Sequence, residues 1–310
     1  MKVSVVISTY NGEKYIYEQL ESIRNQTRKP DEVLIFDDVS TDNTVEIVKK
    51  YLDQYKLDNW ILYENVENKG WKKNFMEGLW FSNGDLIFPC DQDDIWCNTK
   101  IEEMEYIMIK NSNINVLTSN YDAFYDSGKI IVGPNKNDGK IIRQPLAQNI
   151  FNTKYPGCTY CVRKQFVELG KKYWEKDFPH DALFWRLGMF SNSLYSYNKS
   201  LIKWRKHSDS TYAIESLGIK NYEKKRAWLD YAMRVTNSLK RFISIQQDCK
   251  EKEDILDNVQ KWIEIRILFF DTHNIIYWLK LMKYRKCYDR VKQYLGDLYL
   301  VFLNGNRGNK

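Results

Sequence analysis

The chain has only three histidines, His180, His207 and His273, and six cysteines spread over 310 residues. Three scattered histidines do not build a His-rich zinc site, so any metal would rest mainly on carboxylates. Six dispersed cysteines do not make a disulfide scaffold. Cys158 and Cys161 form one Cys-x-x-Cys, a weak zinc or redox signal without a second pair or a nearby His. No apolar run approaches the roughly 18 residues of a membrane-spanning helix. The N-terminal run, Val3 to Ile7 with Ser4 inside, is too short for a secretory signal and lacks a small-residue cleavage site. The expectation from these absences is a cytoplasmic chain with free thiols. Helix breakers are unevenly missing too. All six prolines lie at or before Pro179, and neither Gly nor Pro occurs from Ile219 to Leu295, which points to helices there.

Hydrophobic residues make up 43% and charged residues 28%. Collagen-like, low-complexity and disordered classes are thereby excluded. The length suits one large domain, or one domain with an appendage. The net charge of +6 conceals an asymmetry. Residues 220–310 carry 19 Lys and Arg against 11 Asp and Glu, whereas residues 1–219 carry 28 against 30. In this basic tail, Trp228, Tyr231, Val235, Leu239 and Phe242, then Val259, Trp262, Arg266 and Phe269, recur at helical spacing. The spacing predicts two to four helices over 220–303.

The body alternates between two periods. Val3 to Thr9 is a short β-branched run and reads as a buried strand; Asn11-Gly12 is a turn, and Tyr15 to Asn25 a helix. Val33 to Phe36 and Thr44 to Tyr55 repeat the pair, as do Trp60 to Tyr63 and Trp71 to Phe81. Leu86 to Pro89 is a fourth strand. Such alternation predicts βαβ units and a parallel, doubly wound sheet, whose ligands bind at the carboxyl ends of strands. Three of the four predicted strand ends carry polar clusters: Thr9-Tyr10-Asn11-Gly12, Asp37-Asp38 and Asp91 to Asp94.

Asp91-Gln92-Asp93-Asp94 places three carboxylates in four residues. They repel one another unless a cation sits between them. Mg²⁺ or Mn²⁺ takes oxygen ligands and shares them with a substrate phosphate. In isolation the run would read as an acidic turn capping a helix near Asn98 or Thr99; at the end of a buried strand the cation reading is stronger. Asp37-Asp38 precedes Thr41 and Asp42, either of which suits a helix cap. Two further carboxylates exceed what a cap needs, and their oxygens can accept from a pyrimidine N–H or a ribose hydroxyl. No G-x-G-x-x-G follows the first strand, which disfavours a dinucleotide dehydrogenase. A phospho-receiver would also carry acids at strand ends, but it is a shorter domain and leaves the later motifs unexplained.

In order, Ser8-Thr9-Tyr10-Asn11-Gly12, Asp37-Asp38-Val39-Ser40-Thr41-Asp42, Asn68-Lys69-Gly70 with Asn74, and Asp91-Gln92-Asp93-Asp94 resemble the successive motifs of family 2 glycosyltransferases. The resemblance spans residues 1 to about 210. It implies the α/β GT-A fold, a Rossmann-like, mostly parallel sheet flanked by helices, here with an added C-terminal helical segment. Residues 1–98 would form the nucleotide-sugar half, 99–219 the acceptor half, and 220–310 the basic helical segment. Asp91 to Trp96 resembles more particularly the branch of bacterial rhamnosyltransferases. Phe178-Pro179-His180-Asp181 with Phe184-Trp185 resembles the His-Asp motif whose Asp is the family's base. Pro156-Gly157-Cys158-Thr159 resembles a stretch lining the acceptor side, and Trp204-Arg205-Lys206-His207 a downstream aromatic-Arg-x-His segment. Val39 stands where the family often has Gly or Asn. That departure can alter the turn but removes no ligand. Asn135 to Arg143 is polar and matches no motif.

The resemblance implies Thr9, Tyr10, Asn11, Glu13, Asp38, Gly70, Asn74, Asp91 and Asp94 around a UDP- or dTDP-sugar. It implies Mn²⁺ or Mg²⁺ on Asp93 with Asp91, and Asp181 as general base. Gly157, Thr159, His180, Trp185, Arg205 and His207 would face the acceptor and diphosphate. A divalent ion would stabilise charge on the leaving diphosphate. Lys72 or Lys73 can add to that, or be solvated helix charges. The acceptor hydroxyl needs a base. One base and one in-line displacement invert the anomeric carbon; no second carboxylate is dedicated to a double displacement. Alone, His180 would read as a surface or core residue and Asp181 as a helix N-cap. Neither spanning helices nor the Gln-x-x-Arg-Trp motif of processive membrane synthases is found, so a single addition is expected.

The expected donors are dTDP-rhamnose or a UDP-hexose, and the acceptor a lipid-linked or protein-linked saccharide in bacterial surface glycan or glycoprotein synthesis. The basic aromatic tail can lie on an anionic membrane at its inner face, or pack on the body or a second subunit. No nucleic-acid motif accompanies the charge. The competing readings are a catalytically silent nucleotide- or glycan-binding protein of the same fold, and an assembly role for the tail. Asp91, Asp93 and Asp181 argue against the silent protein, since a binding module has no need of a base.

Overall fold

The computed structural model describes residues 1–207, 221–247 and 249–304. The chain divides into two compact units: Met1–Pro145 with Lys154–Lys206, and Leu146–Thr153 with the described residues from His207 onward. The sequence boundary placed at 219 and 220 lies outside the described residues.

The first unit is built on one ten-stranded sheet. β1 (Val3–Thr9) lies between β2 (Glu32–Asp37) and β4 (Leu86–Cys90), and β2 pairs with β3 (Trp60–Glu64); all three pairings are parallel. β1 and β4 are buried almost throughout, as strands covered on both faces must be, and their Val, Ile, Leu and Phe content follows from that. α1 (Ile16–Arg24), α2 (Thr44–Tyr55) and α3 (Trp71–Phe81) make the crossovers, the last two with the bounds the sequence predicts. The cap of α2 differs from expectation. Its N-cap is Asn43, without a side-chain bond, while Asp42 Oδ1 accepts the Thr44 N–H at 3.0 Å. α3 starts from Gly70 at φ 78°, a conformation open to glycine at little cost. The order 3-2-1-4 reverses between β1 and β4, so the topological switch point lies between their carboxyl ends.

Beyond β4 the sheet is mixed rather than parallel. Chain order gives β5 (Ile95–Trp96), α4 (Lys100–Lys110), β6 (Val116–Tyr125), β7 (Ile130–Val132), β8 (Ile141–Arg143), β9 (Tyr160–Arg163), α5 (Lys164–Lys171), α6 (His180–Phe190) and β10 (Leu194–Lys206). The sheet continues from β4 through β9, β6 and β10 to β5. β9 runs antiparallel to both β4 and β6. The reason is its entry point: a 3-10 turn, Gly157–Thr159, brings it in at the carboxyl end of β4. The polar segment that matched no motif is held by amides. Asn120 donates to Asn135 O (2.9 Å) and Asn137 Oδ1 (3.0 Å), and Asn135 to Asn198 Oδ1 (3.0 Å).

In the second unit, α7 (Tyr222–Ile243) packs on α8 (Lys250–Thr272). α9 (Ile275–Lys280), a 3-10 stretch (Leu281–Cys287), α10 (Val291–Tyr299) and a π-helical turn (Leu300–Asn304) follow. Asn221 caps α7, accepting the Lys224 N–H at 3.2 Å. Val235, Leu239 and Phe242 are buried with Val259, Trp262, Arg266 and Phe269, whereas Trp228 and Tyr231 are half-buried. Among the described residues no helix is long and apolar enough to cross a membrane.

Candidate active site

The loops after β1, β2 and β4 are tied into one rim. Asn11, in the left-handed region at φ 49°, accepts the Thr41 N–H at 2.8 Å. Glu13 Oε2 accepts from Asn43 N (2.9 Å) and Nδ2 (2.8 Å). Gln92 reaches back to the backbone of Tyr10, whose ring is exposed. A Cβ on Gly12 would sit 2.3 Å from Gln92 Oε1, so the glycine makes room for that reach.

The paired acids of β2 are buried and engaged. Asp37 Oδ1 accepts from the buried Thr9 hydroxyl (2.8 Å), and its Oδ2 from Ser40 N (2.8 Å). Between them Val39 is forced to φ 67°, an outlier for a β-branched residue. Asp38 Oδ1 accepts from Asn65 Nδ2 (2.9 Å) and Lys69 N (2.8 Å), and Oδ2 from Gly70 N (2.8 Å). A carboxylate offers about four lone-pair sites, so one remains for a ligand. Asn74 is buried and donates to Ser8 Oγ and Phe36 O, both at 2.8 Å. Lys73 pairs with Glu77 at 3.6 Å.

In the acid run, ligand atoms of Asp91, Asp94 and Cys158 lie within 4.8 Å of one another. The sequence expectation joins Asp91 to Asp93 instead; Asp93 is half-buried and its carbonyl accepts from Arg205 Nε at 2.8 Å. Asp94 is fully buried, its Oδ1 accepting the Arg205 N–H at 2.9 Å. β5 pairs antiparallel with β10, which brings these partners, 111 residues apart, into register. Desolvation, then the negative charges of Asp94, Asp93 and Asp181, raise the Asp91 carboxyl well above its ordinary range. Burial, then Asp93, lifts Asp94 to about 7. A buried cation lies beneath them. Lys100 Nζ donates to Cys158 O at 2.6 Å and sits 3.4 Å from the Trp96 ring centre; burial lowers it to about 8.

Asp181 stands in the first turn of α6, half-buried, and accepts the Ala182 N–H at 2.6 Å. It is not the N-cap; Pro179 holds that place. His180 is buried, its ring 4.3 Å from that of Phe75, and burial lowers its pKa. Neither of its ring nitrogens has a hydrogen-bond partner among the described residues. A Cβ on Gly157 would meet His180 Nε2 at 2.4 Å and Asp181 Cβ at 3.3 Å. The 3-10 turn therefore lies against both the acid run, through Cys158, and the start of α6, through Gly157. Thr159 spends its hydroxyl on Pro156 O at 2.7 Å. Trp185 is buried beside Tyr155.

Arg205 is an internal brace. Its guanidinium binds Glu18 and, at 3.4 Å, Asp126, and lies over the rings of Tyr15 and Phe124. His207 falls in the second unit and is half-buried. Sequence reasoning gives Gln92 and Lys100 no role of their own, and Cys158 only a weak zinc or redox reading and a place in the Pro156–Thr159 stretch. The signal for Gln92 was its place inside the acid run, and for Cys158 the Cys-x-x-Cys; a lysine at a helix start carries none.

The model of glycosyl transferase family 2 matches residues 4–172. An uncharacterized glycosyltransferase of Haemophilus influenzae is 25% identical, over 97% of this chain and 98% of its own. The dTDP-rhamnosyl transferase RfbG of Shigella flexneri is 36% identical over 54% of this chain and 57% of its own. The solved structure of TarS residues 1–349 from S. aureus, in complex with UDP-GlcNAc, superposes with a TM-score of 0.60 at 19% identity, over 94% of this chain and 93% of that one. At that identity the likeness shows the GT-A fold.

Proposed function

The chain belongs to glycosyl transferase family 2, and on that premise we propose that it moves a single sugar from a nucleoside-diphosphate sugar to a saccharide hydroxyl, inverting the anomeric carbon. The observation that carries this reading is geometric. The 3-10 turn sets Cys158 beside Asp91 and Asp94 and Gly157 against His180 and Asp181, although 90 residues separate Asp91 from Asp181. That shared neighbour supports a base for the acceptor acting next to an acid cluster for the diphosphate end.

The cluster suits a hard divalent cation. Asp91 is raised partly by negative neighbours, and a doubly charged ion among them would relieve that repulsion. Cys158 is a poor ligand by comparison, because burial and the two carboxylates raise its thiol pKa and keep it protonated. Asp93 with Asp91 would hold Mn²⁺ or Mg²⁺, Asp93 turning toward the oxygens of Asp91 and Asp94 that already stand together. Such an ion, when bound, acts as a Lewis acid toward charge growing on the leaving diphosphate. The chain's own residues do the rest. Asp181 takes the proton of the attacking hydroxyl. Gly157 and the buried His180, its ring against that of Phe75, fix where Asp181 stands. The remaining lone pair of Asp38 and the rim from Tyr10 to Glu13 receive the nucleoside. With no carboxylate among the described residues set aside for covalent attack, a single displacement inverts.

The name of RfbG supports dTDP-rhamnose as donor, and the TarS complex a UDP-sugar. The acceptor class we propose is a lipid-linked or protein-linked saccharide of a bacterial surface glycan. The test is a panel of UDP-, dTDP- and GDP-sugars with Mn²⁺ and saccharide acceptors, read as nucleoside diphosphate release. Release from one donor is expected. Asp93→Asn should remove the metal response. Asp181→Asn should keep the donor-induced thermal shift and lose about 10²- to 10⁴-fold in turnover. No release and no thermal shift with any donor would replace this reading with a silent binding protein.

A further inference from the structure

Trp278 and Tyr294 join the last two helices of the second unit. Their rings stack at 4.5 Å, Trp278 Nε1 donates to Tyr294 O at 3.1 Å, and Tyr294 OH donates to Trp278 O at 3.2 Å. Around this joint, apolar side chains face solvent. Ile275, Ile276, Leu279 and Met282 are exposed on the Trp278 side, Val291, Leu295 and Tyr299 on the Tyr294 side. Val291 and Met282 are the most open, at 75% and 61%. Residues 291, 295 and 299 share one face of α10 by their spacing. The inward side of this stretch is already satisfied by Leu281, Tyr284 and Cys287, all buried. Among the described residues the outward set is therefore a second, unpartnered apolar face, and exposed apolar residues gathered at one joint mark an interaction surface.

Its charge selects the partner. Lys280, Lys283, Arg285, Lys286, Arg290 and Lys292 are exposed among these apolar residues. Over the described residues 274–304 the acids are Asp289 and Asp297, and Asp297 is buried against Arg266. A second copy of the chain in an isologous dimer would set lysines against lysines. A hydrocarbon phase under anionic headgroups matches both properties, and tyrosine and tryptophan suit its boundary.

We propose that the face formed by Ile275–Met282 and Val291–Tyr299 docks on an anionic lipid bilayer. The test uses the full chain with phosphatidylcholine vesicles, with and without phosphatidylglycerol, at low and high salt, read by co-sedimentation and light scattering. Nothing in it depends on turnover. The chain should sediment only with the anionic vesicles, and less at high salt. Leu279→Glu with Leu295→Glu, and separately Lys283→Glu with Lys286→Glu, should each weaken binding at least about tenfold. All four side chains are exposed, so unchanged thermal unfolding is expected. If the apolar pair does alter unfolding, the charge pair decides alone. Absence of anion-dependent binding, or binding that the charge pair leaves unmoved, would overturn the proposal. So would a dimer of the unaltered chain that the same substitutions dissolve, which would assign the face to a second copy.

Discussion

Gln92 pairs with the backbone of Tyr10 in both directions: its Oε1 accepts the Tyr10 N–H at 2.8 Å, and its Nε2 donates to the Tyr10 carbonyl at 3.0 Å. The clasp joins the loops after β1 and β4 across the switch point, between residues 82 apart. Each such bond contributes roughly 0.5–1.5 kcal/mol. Gln92→Ala should lower stability by about 1–2 kcal/mol and raise the donor KM more than it lowers kcat, because the loop that would receive the nucleoside is released. Gln92→Glu should be worse, since it loses the donor and adds a fourth acid to Asp91, Asp93 and Asp94. Donor KM values for both variants check this; an unchanged KM in the alanine variant removes Gln92 from donor binding.

Val39 shows what the same rim costs elsewhere. Asp37 holds Ser40 through its backbone N–H and its hydroxyl, and the turn this imposes puts Val39 at φ 67°. Strain of that kind costs about 1–3 kcal/mol. Asparagine tolerates the left-handed region, and the Val39 side chain is exposed, so little burial is lost. Val39→Asn should raise unfolding stability by about 1 kcal/mol, seen as a higher urea midpoint at unchanged m-value. A lower midpoint would mean that the valine side chain contributes more than its backbone costs.

Strands and helices of the first βαβ units were legible because period and punctuation agree there, as in Trp71–Phe81 entered from Gly70. β10 was not, since Leu194–Lys206 interleaves Asn198 and Lys199 with apolar residues and shifts register twice against β6. β9 has four residues and gains its direction from where the chain re-enters the sheet. At the site, the acids were visible as types, and their grouping was not. Whether Asp93 or Cys158 stands beside Asp91 and Asp94 depends on how the 3-10 turn folds back. Lys100 reads as a surface lysine until Trp96 and the Cys158 carbonyl cover it. The brace from Arg205 to Glu18 spans 187 residues, beyond any local pattern.

Gly157 should act on catalysis through His180. An added Cβ would sit 2.4 Å from His180 Nε2, and the ring is confined by Phe75, so it has to shift and carry the start of α6 with it. Overpacking costs about 1–3 kcal/mol, and a 1 Å displacement of the base costs about 10²-fold in rate. Gly157→Ala should therefore lose about that much in kcat while donor-induced thermal stabilisation persists. Combining it with His180→Ala should restore part of the stability, because the clash is removed. Stability losses that simply add would place the effect of Gly157 elsewhere.

In the second unit, Arg266 and Asp297 form a bidentate pair at 2.8 and 2.7 Å, each about 1% exposed, and Tyr288 OH also donates to Asp297 at 2.8 Å. Removing one partner strands a charge that burial has cut off from water, which costs about 3–5 kcal/mol. That is a large part of the roughly 5–15 kcal/mol that holds a domain folded. Asp297→Ala should thus lower the midpoint of helix loss, followed by far-UV circular dichroism. Arg266 also lies over the rings of Trp262 and Tyr288, and Met can keep that packing. Arg266→Met with Asp297→Leu should recover most of the loss, because the penalty comes from the stranded charge rather than from a missing attraction. If the double variant stays as unstable as Asp297→Ala, the paired geometry itself stabilises the unit, and Tyr288, left without its acceptor, is the next residue to replace.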